Sequence, residues 1–558
     1  MLNERIAGSA WYRHTIPQLF AQTCAARPDK TAIRYDKRDI TYQELKHQVD
    51  RASQALLDLG IGKGDVVSTL PSPTPEFAIL YFATLQVGAV VNPLNLLWGT
   101  LEFSGVLPRN APKLIVTVDH YGGRDYLQLL RAALPGLQLE GDGRASCASV
   151  PSLRHLFRVS RDGKRHEDVP DFAAWLERVQ DIDLPRIEML RDQAQPTDIQ
   201  FICQTSGTTG LSKSALWDHR PPLATVNFAA KGLAFGEDER YLNLSPFYHN
   251  SGLFALNLNL VLGGSTLYLM ESFNPAAAID LINRHRITAT FGFEAHWQGL
   301  RRAPNFAHDA FSISKAVLAG EPATIDLVRD MCPAGAHICS LYAQTENGPL
   351  ISFAEHDCVN ADINRRTHGR PLPGVEVVIK DHETGVRVPQ GSPGEICYRS
   401  PFMFRGYLHQ PEETKRAFDA EGYFHSGDYG DFEGGYITYL GRLGGVVKSG
   451  GENVSTSRVS TLLLEVFGDR FDDVKTVGVP DPYWGARVVS LVRTRDGRPL
   501  PGDATLREAC KGKMASYEIP RHFLSWEGEW PLSPEGKIDY KVLLAVAQGK
   551  TGSISPIN

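Results

Sequence analysis

Cysteine is scarce: eight in 558 residues, with no CxxC pair and no repeated spacing. That usage points to neither a zinc site nor a secreted disulfide framework, and a reducing, cytoplasmic location is expected. An excess of either charge is also missing. Against 58 Lys and Arg stand 64 Asp and Glu, a net of -6, which over this length gives no electrostatic footprint for nucleic acid or an anionic membrane. The opening MLNERIAGSAWYRH has no apolar signal-peptide core. One uncharged run, Phe77 to Trp98, reaches the 22 residues a bilayer span would need. Gly88, Asn92, Pro93 and Asn95 interrupt it, and Pro75-Glu76 ahead of it opens a helix, so a buried helix and a short strand are expected, with no transmembrane segment. There is no internal repeat.

What is present describes a turn-rich globular chain: 42% apolar, 22% charged, 51 Gly and 35 Pro. Thr41 and Glu44 form a capping box, and Leu45, Val49, Ala52, Leu56 and Leu59 follow at helical spacing until Gly60. The apolar stretch 65–70, the helix from 77 and Ala89-Val90-Val91 then alternate as in a parallel α/β sheet. Residues 155–198 are charge-dense and read as a surface excursion. Alternation resumes from Ile199 to Leu350. Residues 369–441 hold short strands between Pro-Gly, Thr-Gly and Gly-Gly turns, a small β-rich unit. Beyond Arg442 the pattern is α/β again, with strands at 474–479 and 486–492. Gly441, Gly444 and Gly445 place permissive backbone at a boundary near Leu443 to Val446.

The sharpest local signal is TSGTTGLSKSA at 205–215, directly after the apolar strand Ile199 to Cys203 and ahead of an expected helical segment. Glycines, hydroxyls and one lysine together make a cradle for phosphate oxygens. It is not a Walker loop, because Gly207 and Gly210 enclose two residues and Lys213 lies three further on. A polar turn is the plain alternative.

With four further motifs in order, the chain resembles the adenylate-forming (AMP-binding) superfamily of acyl-CoA synthetases, nonribosomal peptide adenylation domains and firefly-type luciferases. The motifs are YAQTE at 342–346, HSGDYGD at 425–431, GRLGGVVKSGGENV at 441–454 and LSPEGKIDYKVL at 532–543. The resemblance spans nearly the whole chain, and GENVST at 451–456 is similar to the long-chain branch. It implies an α/β fold with a large N-terminal domain, residues 1–442, whose β-rich subdomain is 369–441. A small mobile C-terminal domain, 443–558, would turn on a hinge at 443–446.

It also implies roles. Thr205, Ser206, Gly207, Thr208, Thr209, Gly210 and Lys213 would hold the ATP phosphates. Thr345 would donate to the α-phosphate and Glu346 would bind Mg²⁺, a hard ion that prefers oxygen. Tyr342 would stack on adenine, beside the pocket loop Gly320, Glu321 and Pro322. Asp428 would accept from the ribose hydroxyls with Arg442 as a second contact; read alone, Asp428 is a turn-capping aspartate. Lys537, otherwise a solvated turn lysine, would bridge carboxylate and phosphate in the transition state. His249 in SPFYHNSG would gate the acyl pocket. Lys448, Ser449, Gly450 and Gly451 would face CoA, and Gly445 would be the pivot.

The implied activity is an ATP-dependent acyl-CoA ligase acting through acyl-AMP. Its acid would be fairly large and apolar, since 247–256 and 291–297 are rich in aromatic and aliphatic groups. Transfer to a carrier protein or an amine, an enzyme specialised for the thioester half, and a non-catalytic nucleotide sensor are the alternatives. Departures from the family pattern are Gly445 for the usual Asp or Lys, Ser212 and Ser214 for Pro and Gly, Ala343 for Gly, and Arg458 and Ser460 for an acidic pair.

Overall fold

The computed structural model describes residues 10–551 apart from 162, 165, 206–211, 321–323, 355–362, 364–366, 383, 393, 444–445 and 532–539. The chain divides into two compact units. The larger comprises Met1–Leu96, Leu107–Thr205 and Ser214–Gly441, the smaller Leu97–Val106, Ser206–Lys213 and Arg442–Asn558.

Three large sheets, with two small two-stranded ones beside them among the described residues, build the larger unit. Its nine-stranded sheet runs, edge to edge, through Arg370–Pro371, Leu350–Phe353, His337–Ala343, Lys315–Ala319, Ala289–Phe293, Arg240–Asn243, Thr266–Leu269, Thr31–Tyr35 and Arg38–Thr41. The six strands from His337–Ala343 to Thr31–Tyr35 are parallel. A six-stranded sheet follows the order His155–Val159, Leu114–Val118, Val66–Leu70, Val90–Pro93, Ile199–Gln204 and Ser214–Asp218. A four-stranded sheet holds Glu376–Lys380, Gly394–Arg399, Phe424–Glu433 and Tyr436–Arg442.

The helical elements follow from the sequence. Thr41 and Glu44 cap the helix Tyr42–Asp58 reciprocally, which satisfies two donors the first turn leaves open. Gly60 beyond it takes φ +71°, a left-handed angle only glycine adopts at no cost. Every residue but Glu76 of the helix Pro75–Gln86 is buried, and Val90–Pro93 is a strand of the six-stranded sheet, so the uncharged run is core. No helix among the described residues is long and apolar enough to cross a membrane.

Two expectations are corrected. The segment after the phosphate loop is a strand, Ser214–Asp218, antiparallel to Ile199–Gln204 with Gln204 opposite Ser214; a hairpin returns the chain before the helix Arg220–Gly232 begins. The stretch 155–198 also starts inside the core. His155–Val159 is an edge strand parallel to Leu114–Val118, with Leu156 and Phe157 buried. Leu156, Phe157 and Arg158 in succession are buried, so the strand is covered on both faces, and the buried Arg158, paired with Asp119 at 2.8 Å, reads in the sequence as one more surface charge.

In the smaller unit the strands Glu452–Ser455, Val446–Ser449, Gly485–Thr494 and Phe471–Asp481 form a sheet that His522–Ser525 joins. Val459, Leu463, Val474, Val488 and Val492 are among its buried core.

Candidate active site

The strand His337–Ala343 carries YAQTE to the end of the nine-stranded sheet. Side chains alternate along a strand, and Gln344 keeps extended angles (φ -139°, ψ 148°), so Tyr342 and Gln344 emerge on one face. Both meet Asp428. The Tyr342 hydroxyl donates to Asp428 Oδ2 at 2.5 Å and Gln344 Nε2 donates to the same oxygen at 2.7 Å. Gln344 is itself fixed, donating to the Ser426 carbonyl at 2.8 Å and accepting from the Tyr398 hydroxyl at 2.9 Å. Burial, reinforced by the Asp428 charge, pushes the Tyr342 phenol far above its ordinary value, so it stays a donor across the physiological range. Its ring lies near-parallel to Tyr439 at 5.9 Å.

Asp428 does not end a turn. It sits within the strand Phe424–Glu433, 2% exposed, where pairing with Gly394–Arg399 slips. Cys397 opposes His425 and Glu395 opposes Tyr429, so one residue on one strand faces three, Ser426, Gly427 and Asp428, on the other. This is a β-bulge, a device that re-aims a side chain. Gly427 supplies the left-handed angle at φ +68°, and the Asp428 amide donates to Ser426 Oγ at 2.9 Å.

Beyond Gln344 the chain makes one short turn, Thr345–Asn347. Asn250, from SPFYHNSG, donates to Thr345 Oγ1 at 3.2 Å, and Trp217 Nε1 donates to the Thr345 carbonyl at 2.9 Å. Glu346 accepts from the Tyr407 hydroxyl at 2.7 Å and is half-buried, so one carboxylate oxygen is oriented by a neutral donor. A hard divalent cation fits such a donor. His249 caps the helix Asn250–Leu256, its Nδ1 accepting from the Ser251 amide. The His249 ring is edge-on to Phe293 at 5.5 Å, and Phe293 continues to Phe291 and Phe254. Burial, with the His249 charge, lowers nearby His296 to about 4.

The structure thus gathers Tyr342, Thr345, Glu346, Asp428 and His249 in the larger unit. Gly320 follows the strand Lys315–Ala319, where a Cβ would stand 3.0 Å from Glu294 Cβ, a spacing that favours glycine. Thr205 follows Ile199–Gln204, and Lys213 precedes Ser214–Asp218. Ser206, Gly207, Thr208, Thr209, Gly210, Glu321, Pro322, Gly445 and Lys537 lie outside the described residues, as does the side chain of Arg442. In the smaller unit Lys448 and Ser449 end one strand of a hairpin whose tip is Gly450 and Gly451, at φ +61° and +87°.

Sequence reasoning missed Gln344 and Asn250 although both lie inside the motifs, because only the family's charged and hydroxyl positions drew attention. It also missed Arg405 and Asp218, 187 positions apart, which bond at 2.6 Å; no local pattern marks such a pair. Among the described residues, Glu395, Cys397 and His425 place one candidate ligand atom each within 4.8 Å of the others, a metal-like spacing that CxxC counting overlooks. Both Glu395 oxygens there already bond protein donors.

The model of the family "AMP-binding enzyme" matches residues 20–408. Triostin synthetase I of Streptomyces triostinicus is 30% identical over 550 residues, covering 96% of this chain and 95% of that protein. The human mitochondrial medium-chain acyl-CoA ligase ACSF2 is 26% identical over 536 residues, covering 94% and 86%. Among solved structures, the amide bond synthetase McbA of Marinactinospora thermotolerans superposes with a TM-score of 0.80 at 25% identity, covering 95% of this chain and 99% of that one. The mixed α/β architecture matches that of adenylate-forming enzymes. A family match across most of the chain, on a fold that brings YAQTE to HSGD, makes this protein an AMP-binding enzyme of the acyl-CoA synthetase and ligase group.

Proposed function

We propose that the protein is an AMP-forming acid–thiol ligase: ATP and a fairly large apolar carboxylic acid give acyl-AMP and pyrophosphate, and CoA then takes the acyl group and releases AMP. The observation that carries this reading is the buried cluster of Asp428, Tyr342 and Gln344, a carboxylate held by neutral donors so that it still accepts from ribose hydroxyls. Thr345 donates to the α-phosphate, and the 205–213 loop with Lys213 holds the β- and γ-phosphates. Glu346 would hold Mg²⁺, which would offset phosphate charge. Gly320, Glu321 and Pro322 border adenine, and Arg442 contacts the sugar. The rings of Phe254, Phe291 and Phe293 beside His249 support an apolar acid.

The adenylation step joins two anions, so cations and oriented donors are what it needs. Lys537 supplies one in the first pose. Rotation about 443–446, with Gly445 as pivot, then presents Lys448, Ser449, Gly450 and Gly451 to CoA. The seven described cysteines are free and buried, which supports a reducing, cytoplasmic setting.

A second reading, transfer to an amine or a carrier protein in place of CoA, is favoured by the likeness to an amide bond synthetase. One experiment separates them: a panel of carboxylic acids assayed for pyrophosphate release with CoA, with amines, or with neither, followed by mass spectrometry. Acid-dependent release and an acyl-CoA product are expected. An amide product favours the second reading, and no acid-dependent release with any member overturns both.

A further inference from the structure

The bulge that presents Asp428 leaves a backbone donor to be satisfied. A buried amide without an acceptor costs free energy comparable to a lost hydrogen bond. The Gly427 N–H faces the slipped register and donates not to a backbone carbonyl of the opposite strand but to a side chain on it, Glu395 Oε1, at 2.9 Å. Glu395 is 6% exposed. Its other oxygen, Oε2, lies 2.8 Å from His425 Nδ1, and His425 Nε2 lies 3.5 Å from Asp419 Oδ2. Asp419 in turn accepts from Lys380 Nζ at 2.6 Å. Glu395 therefore bridges the two residues that flank Ser426, one through its backbone and one through its ring.

We infer that Glu395 is a positioning residue for nucleotide binding. It locks the Ser426–Gly427–Asp428 bulge, and with it the direction in which the Asp428 carboxylate points, while itself touching no substrate. Without Glu395 the Gly427 amide seeks another acceptor, and the strand relaxes toward regular pairing. Regular pairing would have to absorb the two extra residues of the bulge, which removes the local bend that aims a bulged side chain, so the Asp428 carboxylate turns away from Tyr342 and Gln344. The inference rests on the reading of Asp428 as the ribose acceptor, and it assigns the Glu395, Cys397 and His425 group to support of that aspartate.

The test compares MgATP with its 2′,3′-dideoxy analogue, which offers Asp428 no hydroxyls, by calorimetry on the full chain. The wild type is expected to bind MgATP about 100-fold more tightly than the analogue, the value of the two lost charge-assisted bonds. Glu395→Ala is expected to lose most of that preference: MgATP weakens about 10-fold while the analogue changes little. His425→Ala, at a half-buried position, frees one end of Glu395 and is expected to lose about 3-fold. It carries the test if the alanine variant at 395 does not fold. Glu395→Gln keeps an acceptor for Gly427 and is expected to retain most of the preference.

A merely structural role would weaken both ligands alike, so equal losses overturn the inference. So does full ribose preference in Glu395→Ala, or in His425→Ala where that variant alone folds. A wild type that binds neither ligand, or both equally, overturns instead the ribose reading of Asp428.

Discussion

Two carboxylates in the larger unit are almost equally shielded from water, yet they are held in opposite ways. Asp218 has no exposed surface and Asp428 has 2%. Asp218 accepts from Arg220 Nε at 3.0 Å and Arg405 Nε at 2.6 Å. Burial pushes its carboxyl up to about 6 while the Arg220 charge pulls it down. Asp428 accepts from a phenol and an amide. Two guanidiniums neutralise Asp218 where it stands, and the chain uses it as a joint: the Arg405 amide donates to the Leu216 carbonyl, and the Leu216 amide to Gly406. The phenol and the amide that donate to Asp428 orient its carboxylate and carry no charge themselves. Burial alone does not distinguish a structural carboxylate from a functional one; the charge of its partners does.

The largest expected effect tests the functional side. Asp428→Ala should weaken both MgATP and a nonhydrolysable acyl-AMP mimic by about 100-fold, since two charge-assisted bonds to ribose are each worth about 1.5 kcal/mol. Calorimetry reads it directly. Unchanged affinity for both would make Asp428 a strand residue bonded to its neighbours and dissolve the contrast.

The structural side predicts the reverse pattern. Arg405→Met leaves the Asp218 charge buried with one guanidinium in place of two. A loss of about 2 kcal/mol of stability is expected in urea titration, with the MgATP dissociation constant within about 3-fold of wild type. If stability holds and nucleotide affinity falls, Asp218 belongs to the binding site. A smaller change sharpens the other half. Tyr342→Phe removes one neutral donor from Asp428 and keeps the ring against Tyr439, so MgATP should weaken by about 5-fold, the worth of one ordinary hydrogen bond. No change would assign the orientation of Asp428 to Gln344 alone.

How much of this was legible beforehand follows from the range of each interaction. The capping box at Thr41 and Glu44, the buried helix from Pro75 and the β-rich region after 369 rest on contacts within a few residues, and their patterns stand in the sequence. The motifs named Tyr342, Thr345, Glu346 and Asp428 as a set, and the structure draws these four together. What could not be read is how Asp428 is presented. Its HSGD segment looks like a turn because Gly427 needs a left-handed angle, and glycine serves a bulge as well as a turn. The feature that decides between them is Glu395, 32 positions away from the Gly427 amide it accepts from. The strand Ser214–Asp218 reads as the start of a helix for a related reason: its pairing with Ile199–Gln204 is set by the hairpin, not by a pattern of its own.

The smallest expected effect extends the contrast to a third arrangement, a carboxylate beside another carboxylate. Glu452 lies across a hairpin from Ser449 in the smaller unit. Burial first, and the nearby Glu518 charge second, push its carboxyl up to about 7. In the unfolded chain the same group titrates near the ordinary carboxylate value of about 4.3. Between those two values the folded form holds a proton that the unfolded form has released, so stability falls as pH rises. The contribution is fully present below about pH 4 and is lost as pH passes through 7. Glu452→Gln fixes the neutral form at every pH. Its melting temperature should match wild type at pH 4 and exceed it by about 1 °C or more at pH 8, the shift that a gain of order 1 kcal/mol gives in a chain of this size. Thermal unfolding at the two pH values reads the difference. If the glutamine variant is instead the less stable at pH 8, Glu452 is held as an anion by a cation. It would then join Asp218 as a neutralised joint, and the third arrangement would not exist.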